Sequence, residues 1–275
     1  MLVLLPPSET KRLGGDRAHD ATSLAHHARL ARTRTRVRSA LVAASRSEAA
    51  AVKALKLGVK NRDERLLNLQ LDTSGAMPAV ERYTGVLYDA LDVRSLGGEA
   101  RGWIEAHVAI QSALFGLLDA GDEIPAYRLS GSSRLPKLAA PLAKLWAPVH
   151  EGVLSGAAVR GSTTPRPVVD YALDLRSKDY AALAPLARLG AESFDFVEVV
   201  ARGDAGEVRA LNHFNKAAKG ELVRKLASTL AAGGTIANRE ELFAWAAAND
   251  IDLMPGEDPH TVRLVTEQVV PAASR

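Results

Sequence analysis

The sequence predicts a single compact domain over residues 1–275, an α/β fold of mixed α+β character. The chain has 275 residues, of which 47% are hydrophobic and 24% are charged, and this composition is typical of a globular protein that buries its own core. Strand-like and helix-like segments are mixed along the chain without strict alternation. No internal repeat and no low-complexity linker divides it into separate domains.

The first half of the chain predicts a buried strand, a helical region and a second buried strand. Leu2–Leu5 contains no polar residue and stops at two prolines, which cannot continue a central strand. A polar loop then leads into helix-rich sequence up to about residue 95. Within it, residues 32–38 alternate with a period of two, and we interpret them as a loop that enters a helix. Residues 108–118 are apolar with few charges, which predicts a buried strand.

The second half predicts further helices and strands. Residues 202–206 separate two apolar runs and contain two glycines, which is typical of a hairpin. Residues 215–232 place leucines on one helical face, and Gly233 and Gly234 end this helix. The other predicted elements are a helix at 138–146, a helix at 239–248, a short apolar segment at 251–254, and strands at 168–169 and 261–265.

Several common functional sites are absent from the sequence. There is no cysteine, which excludes disulfides, thiolate metal sites and a cysteine nucleophile. Neither of the two common glycine-rich phosphate loops occurs, and no Gly-x-Ser-x-Gly elbow occurs. None of the seven histidines follows another at a spacing of three or four residues. The sequence therefore predicts no cofactor and no metal site.

The charge is unevenly distributed along the chain. The first 62 residues carry 13 Lys and Arg against four Asp and Glu, whereas the remainder carries 22 against 28. The densest part of this basic segment consists of Arg29, Arg32, Arg34, Arg36 and Arg38. We favour a solvated face for this run over a phosphate-binding role, because no aromatic residue is interleaved with it.

The apolar runs of the sequence are too short for a membrane helix or a signal peptide. None approaches the ~20 residues of a membrane helix, and the apolar start is too short for a signal-peptide core. We therefore expect a cytoplasmic protein with no membrane partner. The sequence leaves the number of subunits open.

Seven segments, in order along residues 2 to 260, resemble the peroxide-stress protein YaaA family. The first is Leu-Leu-Pro-Pro-Ser-Glu-Thr-Lys, which follows the family's strand-then-Ser/Pro-x-x-Lys pattern. The segments are residues 4–11, 83–88, 111–118, 124–129, 145–146, 174–177 with Tyr180, and 214–220. One of them departs from the family: residues 112–116 have Ser-Ala-Leu-Phe-Gly where Ser-Gly-x-Tyr-Gly is usual. This departure puts any chemistry that needs the missing tyrosine hydroxyl in doubt.

The resemblance implies both a fold and a function. The implied fold is a mixed sheet surrounded by helices, with an element like a helix-hairpin-helix beside a positive cleft. The implied function is a role in the response to hydrogen peroxide, through limitation of free iron and of oxidative damage. Family members are also described as binding DNA, so the resemblance implies double-stranded DNA as a partner.

The first candidate site is the basic helix that ends at Gly233. Phosphate recognition needs cations and free backbone N–H groups, which a helix, a glycine turn and a second helix can supply. The candidate DNA-binding residues are Lys216, Lys219, Arg224 and Lys225. The alternative is an amphipathic helix with an ordinary solvated basic face.

The second candidate site is a basic pocket assembled from residues of the family segments. Several of them follow predicted strands, where clefts of α/β proteins form. The pocket residues are Ser8, Lys11, Tyr83, Arg128, Ser177, Tyr180 and Lys216, and the candidates for a catalytic role are Ser8, Lys11, Ser177 and Lys216. Such a pocket would suit a phosphate or a purine edge. The alternative is that each residue caps a helix or orders its own loop.

Two functions from different classes follow from these sites. The first is a peroxide-response protein that binds duplex DNA through its backbone, without sequence preference. The alternative is an enzyme that acts on a nucleobase, a nucleotide or another small anionic substrate in the pocket. Convergence of the pocket side chains in a narrow cleft would favour the enzyme.

Overall fold

A computed structural model describes residues 1–155, 169–202, 208–210 and 215–267 of the chain. The strands are β1 Leu2–Leu5, β2 Met77–Pro78, β3 Val108–Ser112, β4 Gly116–Asp119, β5 Glu123–Ile124, β6 Tyr171–Asp174, β7 Ser193–Arg202, β8 Val208–Ala210, β9 Leu253–Pro255 and β10 Thr261–Glu267. The α-helices are α1 His27–Ser45, α2 Glu48–Leu55, α3 Ala79–Arg82, α4 Val86–Leu91, α5 Gly98–His107, α6 Leu142–Trp146, α7 Lys178–Ala181, α8 Leu186–Leu189, α9 Asn215–Leu230 and α10 Arg239–Ala248. Three segments form 3-10 helices, namely Val59–Leu69, Val93–Ser95 and Ala147–His150.

A mixed sheet flanked by helices forms the centre of the fold, as the α/β prediction requires. Its strand order is β4-β3-β1-β6-β7-β10-β9, and β8 adds to the far end of β7. The five strands from β3 to β10 on this path are parallel, and β4 and β9 are antiparallel edge strands. A second, two-stranded sheet pairs β2 with β5.

β1 lies inside the sheet, between β3 and β6, and its sequence suits burial on both faces. All four of its residues are at most 2% exposed. An unbroken apolar run is what a parallel strand covered on both sides requires. The predicted strand Leu2–Leu5 is therefore confirmed, and the elements predicted at 215–232, 239–248 and 261–265 correspond to α9, α10 and β10.

The interpretation of residues 32–38 as a loop was wrong, because this segment lies inside α1. The side chain of Arg34 is only 6% exposed and occupies a core-facing position between Leu30 and Val37. Its guanidinium donates to the backbone oxygens of Phe115 at 2.7 Å and Leu117 at 3.1 Å. Arginine thus takes a place in the helical pattern that an apolar residue usually fills.

The predicted strand at 108–118 is two strands, β3 and β4, which pair antiparallel. The chain reverses through residues 113–115, and Gly116, the first residue of β4, has a φ of +72°. A Cβ at this position would lie 2.8 Å from the Trp146 side chain and 3.1 Å from His150, so both the backbone angle and the space require glycine.

Two other boundaries differ from the predictions. The helix predicted at 138–146 begins only at Leu142, because Pro141 disfavours helical backbone at the residue before it. The strand predicted at 168–169 is found at Tyr171–Asp174, where it pairs in register with β1; residue 168 lies outside the described residues.

The hairpin predicted around 202–206 agrees with the antiparallel pairing of β7 and β8, although residues 203–207 are not described. Between α9 and α10, Gly233 has a φ of +103° and the Asn238 side chain accepts from the Glu241 N–H at 2.9 Å. The assignment of this region as a helix-hairpin-helix stays a prediction. Among the described residues, no helix is both long enough and apolar enough to cross a membrane.

Candidate functional site

The carboxyl ends of three parallel strands meet where the sheet topology changes direction. β1 lies between β3 and β6, so the chain builds the sheet first on one side of β1 and later on the other. In open α/β sheets, ligands bind in the crevice outside the carboxyl ends at such a position. Residues 6–11 follow β1, residues 113–115 follow β3, and residues 175–180 follow β6. Three of the segments that carry predicted pocket residues or their neighbours therefore reach one edge.

Lys11 is held at this edge by its own loop and by two tyrosine rings. Its Nζ donates to the backbone oxygens of Ser8 at 2.9 Å and Glu9 at 3.1 Å. The same nitrogen lies 4.1 Å from the centroid of the Tyr127 ring and 5.4 Å from that of Tyr83. Burial, reinforced by the nearby Arg128, lowers the pKa of Lys11 to about 7. A fraction of the amine is therefore neutral near neutral pH.

Arg128 lies beside Lys11 and is fixed by two carboxylates. Its side chain is 8% exposed, and its Nη2 and Nη1 lie 2.6 Å from Glu9 Oε2 and 3.0 Å from Glu64 Oε2. The Asn68 side chain holds the Arg128 peptide from both sides, accepting from its N–H at 2.7 Å and donating to its oxygen at 3.0 Å. Glu9 is 58% exposed, so it is the partner of Arg128 that a ligand could displace.

A chain of buried hydroxyl groups extends from Ser112 to Tyr83. The Tyr127 hydroxyl lies 2.8 Å from the Ser112 Oγ and 2.8 Å from the Tyr83 hydroxyl. The Ser112 Oγ already accepts from the backbone N–H groups of Leu114 at 3.1 Å and Phe115 at 3.0 Å. Its own hydrogen is therefore directed to Tyr127, and Tyr127 in turn donates to Tyr83. The Tyr83 hydroxyl hydrogen is therefore the last in this series of hydrogen bonds. Burial raises the pKa of the Tyr83 hydroxyl, so it keeps its proton.

Tyr180 closes the same region from the β6 side. Its hydroxyl accepts from the Gly131 N–H at 3.2 Å, three residues beyond Arg128. Burial raises the pKa of Tyr180 to about 12, with a smaller effect from Glu9. We call the cluster of Ser8, Lys11, Tyr83, Arg128 and Tyr180 the Lys11 crevice.

Two predicted pocket residues, Ser177 and Lys216, make no side-chain hydrogen bond to the described residues that line the Lys11 crevice. Only the Ser177 backbone oxygen does so, accepting from the Tyr180 N–H at 3.0 Å. Ser177 is exposed at the N-cap position of α7, and its side chain makes no hydrogen bond to the helix. Lys216 is exposed in the first turn of α9. The structure thus brings together Ser8, Lys11, Tyr83, Arg128 and Tyr180 and leaves the other two at the surface.

The four cations predicted to bind DNA along α9 do not share one exposed face. Lys219 is 6% exposed and its Nζ donates to the Leu175 oxygen at 3.0 Å. Arg224 donates at 2.9 Å to the backbone oxygens of Leu91 and Asp92, at the end of α4. Lys216 and Lys225 are exposed, but they are nine residues apart, which places them on opposite sides of the helix.

Burial also lowers the pKa of Lys219, to about 8, although Asp174 and Glu198 act in the opposite direction. The Lys219 Nζ lies 5.5 Å from the centroid of the Phe196 ring. Lys219 is therefore part of the packing between α9 and the sheet, and its charge is not presented to solvent.

A sequence model described as "Peroxide stress protein YaaA" matches residues 1–241. The chain belongs to this family. Named relatives support the assignment: a UPF0246 protein of Corynebacterium efficiens is 40% identical over 233 residues, which is 83% of this chain and 86% of the relative. A UPF0246 protein of Streptomyces coelicolor is 40% identical over 233 residues, covering 83% and 84%. Another, from Corynebacterium glutamicum, is 37% identical over 232 residues, covering 82% and 85%.

Several residues of the crevice in this YaaA-family chain were missed by sequence reasoning. Glu9 and Tyr127 lie inside the quoted family segments but were not singled out as site residues. Glu64 and Asn68 come from the 3-10 helix Val59–Leu69, where no motif marks them. Only the structure identifies Glu64 and Asn68, because both are marked by contacts with Arg128, which lies 60 or more residues away in the sequence.

The arginine run of this YaaA-family chain divides into buried and exposed members. Arg34 is internal, and Arg38 pairs with Asp72. Arg29, Arg32 and Arg36 are exposed and fall within one third of the turn around α1, so they form a single ridge. Among the described residues, no acceptor lies within hydrogen-bond distance of their guanidinium groups.

In the part of this YaaA-family chain that the structure describes, no group of three or more His, Asp or Glu side chains could hold a metal ion.

Proposed function

We propose that this chain acts in the response to hydrogen peroxide through the Lys11 crevice, as an enzyme on a small anionic substrate such as a nucleobase or a nucleotide. The observation that carries this proposal is the position of the Lys11 Nζ, 4.1 Å from the centroid of the Tyr127 ring and beside the Arg128 guanidinium. Residues far apart in sequence converge there at the carboxyl edge of the parallel strands.

The charges of the crevice suit an anionic group. The two carboxylates on Arg128 differ in exposure, and Glu9 is the more exposed. An incoming phosphate or carboxylate would replace Glu9 at Nη2 and keep Arg128 paired, so that no buried charge is left without a partner. Glu9 therefore holds the site closed until a substrate competes for the guanidinium.

Lys11 and Tyr83 provide complementary proton chemistry beside this anion site. The neutral amine of Lys11 can accept a proton or attack an electrophilic carbon, because its pKa of about 7 matches the surrounding pH. The Tyr83 hydroxyl stays protonated and is polarised by the donors behind it, since Tyr127 donates to its oxygen. In this proposal Lys11 is the base or nucleophile, and Tyr83 is the hydrogen-bond donor to the charge that develops.

Survival of peroxide-treated cells that lack the gene, complemented by variants, tests this function. We expect Lys11→Met to lose protection, and Lys11→Arg to lose it as well, because arginine keeps the positive charge but has no neutral amine. Lys53→Met is the matched control, since Lys53 is exposed on α2. Full protection by Lys11→Arg would contradict a chemical role for the amine, and full protection by Lys11→Met would contradict any role of the residue.

Duplex DNA binding is the second candidate function, and one observation favours it. The ridge of Arg29, Arg32 and Arg36 presents three guanidinium groups in a line, which suits contacts to successive phosphates. Lys216 and Lys225 add exposed charge on α9. The link to free iron and oxidative damage is part of this candidate function: bound DNA would be shielded from iron-dependent oxidation.

Fluorescence anisotropy of labelled duplex DNA at several salt concentrations tests this second function. We expect the logarithm of the affinity to fall linearly with the logarithm of the salt concentration. The triple variant Arg29→Gln/Arg32→Gln/Arg36→Gln should bind more weakly and show a smaller salt slope, and Lys216→Gln/Lys225→Gln should do the same to a lesser degree. Absence of binding at low salt, or unchanged binding in both variants, would contradict DNA as a partner.

A further inference from the structure

A groove of about 480 Å³ lies next to the Lys11 crevice, on the other side of one short segment. Lys11 forms an isolated antiparallel bridge with Tyr83, and the next residue, Arg12, lines the groove. Consecutive residues of an extended segment point to opposite sides, so the same backbone places Lys11 in the crevice and Arg12 in the groove. The groove is thus a separate space with its own side chains.

Four arginines from three parts of the chain line this groove. Arg12 and Arg17 come from the loop after β1, Arg94 from the 3-10 helix Val93–Ser95, and Arg101 from α5. Two carboxylates, Asp16 and Glu81, lie among the lining residues, and Met77 and Pro78 of β2 give it an apolar part. We call this space the arginine groove.

The walls of the groove are fixed by a buried arginine beneath them. Arg82 is fully buried, and its guanidinium donates to the backbone oxygens of Arg12 at 2.5 Å, Gly75 at 2.7 Å and Ile124 at 2.9 Å. The Arg12 N–H donates back to the Arg82 oxygen at 2.9 Å. The loop that carries Arg12 is therefore tied to the β2 and β5 region before any ligand arrives, which lowers the entropic cost of binding.

The lining arginines differ in what they already contact. Arg17 pairs with Glu123, and Arg101 is shared between Glu81 and Glu105. Arg12 and Arg94 are exposed, and no described residue accepts a hydrogen bond from either guanidinium. The guanidinium groups of Arg12 and Arg94 are thus free for a ligand. The other two arginines of the groove are already in ion pairs.

We propose that the arginine groove is a binding site for a phosphate-bearing small molecule of nucleotide size, with Arg12 and Arg94 on the phosphate and Met77 and Pro78 on the apolar part. A guanidinium offers a planar pair of donors that matches phosphate oxygens, and two of them from different segments suit a group with more than one negative charge. The volume falls within the range of small-molecule sites.

Isothermal titration calorimetry with ADP, inorganic phosphate and adenosine tests this proposal. We expect saturable binding of ADP, weaker binding of phosphate, and no heat of binding for adenosine. Arg12→Gln/Arg94→Gln should weaken ADP binding at least about tenfold, because both phosphate partners are lost. Both residues are exposed, so these substitutions leave the core intact, which the thermal unfolding midpoint will verify.

Two control variants separate this site from general electrostatics and from the crevice. Arg29→Gln/Arg32→Gln removes the same charge from α1 and should leave ADP affinity within about twofold of the original. Lys11→Met is the second comparison, because a ligand held in the Lys11 crevice would lose affinity in this variant and keep it in Arg12→Gln/Arg94→Gln. The proposal is overturned if ADP does not saturate at up to about 5 mM, or if both arginine pairs have equal effects. It is also overturned if Lys11→Met abolishes binding while Arg12→Gln/Arg94→Gln does not, and that result would instead place the ligand in the Lys11 crevice.

Discussion

Glu9 and Arg128 are joined by an ion pair across 119 residues of sequence, with Glu9 Oε2 2.6 Å from Arg128 Nη2. Each of these two charges also acts on Lys11 between them. Arg128 lowers the pKa of the Lys11 amine, whereas Glu9 and Glu64 raise it. The protonation of Lys11 therefore depends on whether Glu9 stays in place, and this dependence can be measured.

Glu9→Gln should lower the pKa of Lys11 further, because it removes a negative charge and leaves Arg128 unchanged. The measurement is a pH titration of the Lys11 ¹³Cε resonance, assigned by its absence in Lys11→Arg. Glu105→Gln, an exposed carboxylate on α5, is the control and should leave this titration unchanged. Since Glu9 is 58% exposed, the free energy of unfolding should change by less than about 1 kcal/mol. A raised pKa in Glu9→Gln would contradict the electrostatic arrangement.

Stability should rise with pH above neutrality in a way that depends on Lys11. The fold lowers the pKa of Lys11 from 10.5 to about 7. Between these pH values the unfolded chain binds more protons than the folded chain, so the free energy of unfolding increases with pH. In urea denaturation at pH 7 and pH 9, Lys11→Met should show a smaller rise than the original protein, by about 2 kcal/mol. An equal rise in both proteins would show that the amine titrates normally, and Lys53→Met serves as the control.

Arg34→Met should destabilise the protein far more than Arg36→Met, although the two residues are neighbours on α1. Arg34 donates to three backbone oxygens, those of Ala25, Phe115 and Leu117, and its loss leaves buried acceptors without a donor. We expect a loss of about 2 to 4 kcal/mol for Arg34→Met and less than about 0.5 kcal/mol for Arg36→Met in chemical denaturation. Similar values for both would contradict a structural role for Arg34.

Gly220→Ala should destabilise the contact between α9 and α4. A Cβ at Gly220 would lie 2.1 Å from the Leu87 oxygen, so the helices must separate to admit it. We expect a loss of about 1 to 3 kcal/mol in the free energy of unfolding. Gly102→Ala in α5 is the matched control: no atom lies within 4 Å of the added Cβ, and this change should stabilise by about 0.5 to 1 kcal/mol. A neutral Gly220→Ala would mean that the two helices are not in contact as described.

Sequence reasoning predicted those elements whose signals are local. The apolar run of β1, the leucine face of α9 and the glycines after it each mark an element without help from the rest of the chain. Residues 32–38 were misassigned because Arg34 was counted as a surface residue. With Arg34 counted as buried, Leu30, Arg34, Val37 and Leu41 follow the helical period.

The candidate site was predictable only in part, for a related reason. Ser8, Lys11, Tyr83 and Arg128 belong to segments that resemble a family, and the structure places all four around one crevice. Glu64 and Asn68 could not be found, because their only mark is contact with a residue about 60 positions away. Lys219 was selected wrongly as a DNA-binding residue. As a cation on an amphipathic helix it was expected to be exposed, but its amine packs against the sheet.

The interior position of β1 in the sheet also affects how this chain folds during synthesis. β1 is synthesised before both of its neighbours in the sheet, Val108–Ser112 and Tyr171–Asp174. At translation speeds of about 5 to 20 residues per second, β1 stays without its second neighbour for on the order of ten seconds. During that interval an unpaired apolar strand is open to aggregation, and the long closure lengths make the later pairing slow. We therefore expect this chain to depend on shielding of β1 until the residues of β6 have been made.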